Sequence, residues 1–258
     1  MNDWLNAMVG HRIRQHRDDG LEMSAETAFV ADTGHAVYQR RFKPMVAAVL
    51  LTVVAGFVLA PSLPALLLTF VALYFWVDFY SGVLHVVLDD PSFCRLPLIG
   101  VPCVEFQWHH NFEYDIASRS LFDVWGDLNV LLFVKALLLL GIAVPLGHGP
   151  TALMVAGVGF FWAYANQVAH RMAHTAKRKR PRWAQRLQGV GILVPPRTHQ
   201  DHHATHDTSF PVLSGRSRGL IDGLRARVPN RWLWLGGFLF LTGFDLVIFV
   251  FALDALPL

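Results

Sequence analysis

The chain has 258 residues, 53% of them hydrophobic and 16% charged, with a mean hydropathy of +0.38. Charge this sparse and apolar content this blocky exclude a disordered protein, and an ordinary soluble domain has about a quarter of its residues charged. The net charge of +3 and pI near 9.1 are too mild to indicate nucleic-acid binding, so the outstanding feature is 13 histidines in a membrane-like composition.

Residues 1–43 are polar, carry Arg12, Arg14, Arg17, Arg40, Arg41 and Lys43, and open without the apolar run of a cleaved signal peptide. Five apolar runs follow, at 45–63, 65–88, 128–146, 152–173 and 232–253. A hydrocarbon core of ~30 Å needs roughly 20 helical residues, and each run supplies about that many. Lipid leaves open backbone groups unsatisfied, and none of the runs alternates like a barrel strand, so all five read as helices. The expected fold is an all-α integral membrane protein: a four-helix transmembrane core, a fifth C-terminal span, and histidine-rich helices on one side. The chain divides into a polar segment 1–43, a membrane domain 44–215, and a basic linker with the last span, 216–258.

With five spans, the segments 1–43, 89–127 and 175–231 share one side and hold 6, 2 and 12 Lys/Arg, or 20 of the 22. The other two, Lys135 and Arg171, lie inside apolar runs. This asymmetry predicts a cytoplasmic N-terminus and an outer C-terminus. The cluster Lys177-Arg178-Lys179-Arg180 suits anionic headgroups, or serves only as an orienting flank. Cys94 and Cys103 form no CxxC unit, so neither a disulfide nor a zinc ribbon is indicated. No nucleotide-binding signature is present. Lys135 and Asp245 are charges within the third and fifth runs, open to pairing, snorkelling or a local water pocket.

Four groups of histidine fall on the predicted cytoplasmic side. His85 ends the second run, with Asp78 and Asp89 at helical offsets of seven and four. His109 and His110 are adjacent. His170 and His174 end the fourth run as HxxxH. His199, His202 and His203 form HxxHH after Pro195-Pro196, with His206 beyond. Residues three or four apart share a helix face, so each group can aim several imidazoles at one point. Any one of these residues has an ordinary interfacial reading. Their coincidence on one side favours metal, and eight imidazoles exceed the needs of one ion, which points to two. His11, His16, His35 and His148 have no ligand-like spacing and read as solvated bystanders.

The motifs DFYSGVLH (78–85), FQWHH (106–110), NQVAHRMAHT (166–175), PRTHQDHH (196–203) and HDTSFPVLSG (206–215) resemble, in order and spacing, the lipid desaturase family. That family includes animal plasmanylethanolamine desaturase, bacterial plasmalogen-forming relatives and the plant plastid phosphatidylglycerol desaturase. The resemblance covers roughly residues 65–215. It implies two iron ions, Fe2+/Fe3+, held by His85, His109, His110, His170, His174, His199, His202 and His203, with O2 as co-substrate. It implies introduction of a double bond into a phospholipid chain, and an external electron donor of cytochrome b5 or ferredoxin type. Asn166 stands four residues before His170, the spacing at which wider membrane desaturases place a water-mediated iron contact. Asp78, Asp89 and His206 are candidates to orient the ligands from behind. The chain departs from the animal form at Thr198, where that form has a histidine, while Phe106-Gln107 is plant-like. The fifth run has no counterpart in the family core.

The expected activity is therefore lipid-chain desaturation, at an ether-linked alkyl chain as in plasmalogens or near the carboxyl end of an acyl chain. A lipid hydroxylase would share the metal site. A bis-histidine haem carrier would use His85 and His170 across two spans, leaving HxxHH and His109-His110 unexplained. A zinc hydrolase or a metal transporter is a further alternative, although transport calls for polar residues along the whole bilayer path.

Overall fold

A computed structural model describes residues 36–257 apart from Leu98, Phe112, Tyr114 and 206–209. His206, His11, His16 and His35 lie outside the described residues. The fold is all-helical, with no strand among the described residues. In chain order the helices are α1 (Ala36–Val58), α2 (Leu63–Leu88), α3 (Gly100–Asn111), α4 (Asp115–Ser118), α5 (Leu121–Gly126) and α6 (Asn129–Ala143). They continue with α7 (Gly149–His174), α8 (Arg182–Gly189), α9 (Pro196–Thr205), α10 (Arg218–Arg227) and α11 (Arg231–Asp254), and a short 3-10 turn spans Pro91–Phe93.

The five apolar runs become α1, α2, α6, α7 and α11, but they are not equal. Among the described residues, α2, α7 and α11 are the helices long and apolar enough to cross a membrane, while Asn129–Ala143 of α6 and the stretch Pro44–Val58 within the 23-residue α1 are shorter apolar segments. The 15 residues of α6 rise about 22 Å, short of the ~30 Å hydrocarbon core. The third run was read as 128–146, and its last residues are spent on the turn into α7 rather than on helix.

Turn chemistry sets two of the helix starts. Ser62 caps α2 by accepting from the Ala65 N–H at 3.1 Å, with Pro64 in the first turn. Asn230 caps α11 in the same way through the Trp232 N–H at 2.9 Å. α7 is the central helix: α1, α2, α6 and α11 all pack on it. The α1–α7 contact is backbone to backbone. A Cβ on Gly56 would lie 2.6 Å from Leu153 O, and one on Gly157 would lie 2.8 Å from Gly56 Cα. Small residues let helices approach closely where lipid offers no hydrophobic drive to associate.

The buried core runs between these helices through Leu73, Leu139, Met154, Phe160 and Val250. Outside it, Leu51, Val58, Leu63, Leu137 and Leu233 are each more than half exposed. A belt of that size would aggregate in water and suits lipid. His148 marks the end of the bundle opposite the clustered histidines. It is not merely solvated, because its Nδ1 pairs with Asp254 Oδ2, and Thr151 also donates to Asp254 at 2.6 Å. Cys94 and Cys103 are buried and share no disulfide, their sulfurs lying side by side 2.8 Å apart.

Candidate metal centre and lipid chamber

α2 and α7 both run toward the same end and finish in histidine: His85 near the end of α2, His170 and His174 in the last turns of α7. α3 brings His109 and His110 beneath them, and α9 closes the site with His199, His202 and His203. The eight imidazoles sort into two neighbouring groups. His109, His170, His174, His199 and His203 form one, and His85, His110 and His202, joined by Asp89, form the other. Within each group one ligand atom per residue lies within 4.8 Å of all the others.

In the first group His170 Nε2 is 2.9 Å from His109 Nε2, His203 Nε2 is 3.1 Å from His199 Nε2, and His199 Nε2 also meets His174 Nε2. Ring nitrogens converging in this way are a donor set aimed at a shared centre. Burial first, and then the neighbouring rings of His170 and His174, push His109 and His199 well below the ordinary histidine value. Burial and then His174 push His203 down to about 2. These three imidazoles are therefore neutral near pH 7, the form that ligates metal.

The second group is arranged around a carboxylate. Asp89, at the C-terminal cap of α2, places Oδ1 at 3.0 Å from His110 Nε2, and Oδ2 at 3.3 Å from His85 Nδ1 and 3.5 Å from His202 Nε2. Burial alone would raise this carboxyl. His85 and His110 outweigh it and hold it well below the usual carboxylate range. The sequence suggested an outer, orienting role for Asp89; one of its oxygens lies within 4.8 Å of a ring nitrogen from each of His85, His110 and His202. The donor set, five imidazoles beside three imidazoles and a carboxylate, fits two transition-metal ions.

The other expected residues divide. Asp78 hydrogen-bonds to no histidine among the described residues; it is 1% exposed, and its Oδ1 accepts from the backbone N–H groups of Ser214 (2.6 Å) and Gly215 (3.0 Å). With Ser81 Oγ, which accepts from Val212 N–H at 3.0 Å, it pins the segment after α9 onto α2. Gly82 completes that seam, since a Cβ there would meet Pro211 Cγ at 3.1 Å and collide with the Ile221 side chain. So Asp78, Ser81 and Gly82 of DFYSGVLH hold a loop, and only its last residue is a candidate ligand. Asn166 is half-buried, but its Oδ1 is fully buried and has no hydrogen-bond partner among the described residues; it lines the same cavity as His170.

Several contributors lie inside the motifs and the basic cluster, but nothing in their spacing assigned them a place at the site. Phe210 stacks on His202 with ring centroids 5.1 Å apart, and Phe106 lies edge-on to His85 at 4.9 Å, so aromatic rings shield the imidazoles from water. Gln107 Nε2 donates to the Asp89 carbonyl at 3.0 Å and ties α3 to the end of α2. Arg180, expected against lipid headgroups or as an orienting flank, turns inward: its Nη2 donates to Thr175 O at 2.6 Å, clamping the end of α7 beside His174. Lys135 and Asp245 pair at 2.6 Å, which decides among the alternatives left open by their positions.

A cavity of about 220 Å3 begins at His85, His109 and His170. On one side it reaches Glu105, Asp115, Arg119 and Asp127, where Arg119 grips both Asp127 oxygens at 2.6 and 2.7 Å. Its remaining walls are largely apolar and come from α2, α6, α7 and α11.

A helical, membrane-like bundle with two histidine-rich ligand groups at one end, opening onto an apolar slot, defines the class. The chain belongs to the family described as the lipid desaturase domain, whose model matches residues 74–227. It is similar to three Arabidopsis thaliana proteins. "Fatty acid desaturase 4, chloroplastic" is 30% identical over 151 residues, 58% of this chain and 45% of that protein. "Fatty acid desaturase 4-like 1, chloroplastic" is 28% identical over 151 residues, covering 58% and 50%. "Fatty acid desaturase 4-like 2, chloroplastic" is 28% identical over 153 residues, covering 58% and 52%. The match thus spans about half the length of these relatives. No solved structure matches the chain.

Proposed function

We propose that this protein is a multi-pass membrane lipid desaturase, removing two hydrogens from adjacent carbons of a phospholipid chain. The observation that carries this reading is the pair of neighbouring histidine groups opening directly onto an apolar slot. His85, His109, His110, His170, His174, His199, His202 and His203 would hold two iron ions, with Asp89 as an added oxygen ligand. Bound iron would supply activation of O2, the chemistry an unactivated C–H bond requires and no side-chain acid or base provides. Reducing equivalents would come from an external donor of cytochrome b5 or ferredoxin type.

The chain's own residues supply position and dryness. Leu84, Leu131 and Leu132 flank the slot and hold an alkyl chain with one C–C bond beside His85 and His170. Phe106 and Phe210 keep bulk water from the imidazoles. Asn166 offers a buried acceptor next to His170 for a water or a polar group of the substrate. Glu105, Asp115, Arg119 and Asp127 form the polar end of the slot, suited to the glycerol and headgroup. The printed names of the relatives favour an acyl chain over the ether-linked chain of plasmalogens. The crowding of the imidazoles argues against a porphyrin between His85 and His170. The distribution of Lys/Arg supports a five-helix topology with the histidine end and the N-terminus on the cytoplasmic, or positively flanked, side.

Metal analysis of the purified protein, with lipid profiling of cells with and without the gene, tests this reading. Two iron ions per chain without a haem band, and a new double bond in an acyl chain, are expected. A single zinc, a haem spectrum or an unchanged lipid profile would overturn it. A vinyl ether appearing instead would move the substrate to the alkyl chain.

A further inference from the structure

α11 lies beyond the residues matched by the family, yet it is fastened to the centre of the molecule by charge. Lys135 Nζ of α6 donates to Asp245 Oδ1 of α11 at 2.6 Å and to Leu241 O at 3.3 Å, and it sits 4.4 Å over the Tyr80 ring. Asp245 Oδ2 accepts from Trp76 Nε1 at 2.9 Å. Beside them Tyr80 and Thr242 share a hydrogen bond of 2.7 Å. The side chains of the pair are 7% and 4% exposed. Charges inside a bundle of apolar helices are costly and mark function more often than structure.

The same pair lines the cavity that begins at the histidines. Nine residues of α2 separate His85 from Trp76, a rise of about 13 Å. Trp76 of α2, Phe160 of α7 and Leu246 of α11 line the cavity with Lys135 and Asp245, and the Trp76–Asp245 hydrogen bond sets the pair at the level of Trp76. We propose that the Lys135–Asp245 pair is the inner end of a lipid-chain chamber, and that α11 thereby fixes the chain length accepted and the carbons held at the histidines. This rests on the desaturase reading for the identity of the occupant.

The physics differs from that of a pocket filled from water. A lipid chain leaves a bilayer as apolar as the chamber, so added methylenes gain little by entering. Length selection must come from what stops the chain. The atoms of the pair are already bonded to each other, to Trp76 and to Leu241, so an alkyl terminus can neither displace them nor bond to them. A chain that is too long must overpack the end or withdraw its reactive carbons from the histidines.

Native mass spectrometry of the purified full chain, equilibrated with phosphatidylglycerols of graded saturated acyl length, reads the preference directly. The double variant Lys135→Ala/Asp245→Ala removes both charges together, leaving neither one orphaned. It should shift the bound distribution toward longer chains by about tenfold, and any double bond formed should move relative to the carboxyl end. Leu246→Trp leaves the pair intact and fills the same end, so it should shift the distribution toward shorter chains. If the double variant fails to fold, the tryptophan variant decides alone. Length profiles unmoved from wild type would overturn the chamber end and leave the pair as a tie between helices. A wild type that selects chain length but forms no double bond would keep the chamber and sink the desaturase reading instead.

Discussion

Asp78 and Ser217 are joined twice: Asp78 Oδ2 accepts the Ser217 backbone N–H at 3.0 Å and its hydroxyl at 2.7 Å. Together with the bonds from Ser214 and Gly215, this one carboxylate gathers the turn that follows the HxxHH helix and fixes it to α2. Asp78→Ala should leave three backbone N–H groups unsatisfied at about 1–3 kcal/mol each, lowering the thermal midpoint and loosening α9. Differential scanning calorimetry in detergent, with iron content on the same sample, checks this. An unchanged midpoint would show that the loop holds without its anchor.

The two ligand groups should empty separately. His199→Ala removes a candidate ligand from the five-histidine group, and His202→Ala removes one from the group around Asp89. Each is expected to lower bound iron from two ions toward one, and the double variant to lower it toward none. His148→Ala, at the opposite end of the bundle, should leave iron content as it is. Plasma emission spectrometry distinguishes these outcomes, and full loading of either single variant would remove that histidine from the centre.

Asp89 is expected to act as a ligand and not only as an orienting group. Asp89→Asn keeps size and one oxygen but gives up the charge that faces three imidazoles, so it should weaken iron retention while leaving the fold intact. Competition with a chelator measures the loss. Retention equal to wild type would return Asp89 to an orienting role.

Acid should destabilise the iron-free protein through the buried imidazoles. His109, His199 and His203 titrate below 6.5 in the folded protein and near 6.5 once unfolded. Above 6.5 both states are neutral and these groups add no slope. Below it the unfolded state binds more protons, and stability falls as pH falls. Thermal midpoints of the iron-free protein on both sides of pH 6.5 test the sign, and a flat profile on the acid side would contradict it.

The α1–α7 crossing should tolerate no side chain. A Cβ on Gly157 would sit 2.8 Å from both Gly56 Cα and Thr52 O, so Gly157→Ala should cost about 1–3 kcal/mol through overpacking. Gly236→Ala on α11 meets nothing within 4 Å and serves as the control. Equal midpoints for the two variants would refute the close approach.

The histidines were legible because ligand chemistry writes itself into local spacing. HxxxH and HxxHH place imidazoles on one helix face whatever surrounds them, and the basic flanks put all four groups at one end. The partition of eight histidines into five and three was not legible. It depends on how α3 and α9 are rotated against α2 and α7, which no local pattern encodes. Asp89 shows the same limit: its offset from His85 gave proximity, but only the arrival of His110 and His202 from other helices made it a shared centre.

By itself, then, the sequence determined an all-helical apolar chain, the helices that carry the candidate ligands and the end of the bundle where they gather, because hydropathy and helical periodicity are local properties. The tertiary structure alone decided that α6 is short, that Asp78 anchors a loop, and that Lys135 and Asp245 meet in the wall of a cavity. The last two depend on contacts between residues more than 100 positions apart, 110 in the case of Lys135 and Asp245. Those contacts are set by how helices pack, and packing is a property of the whole chain.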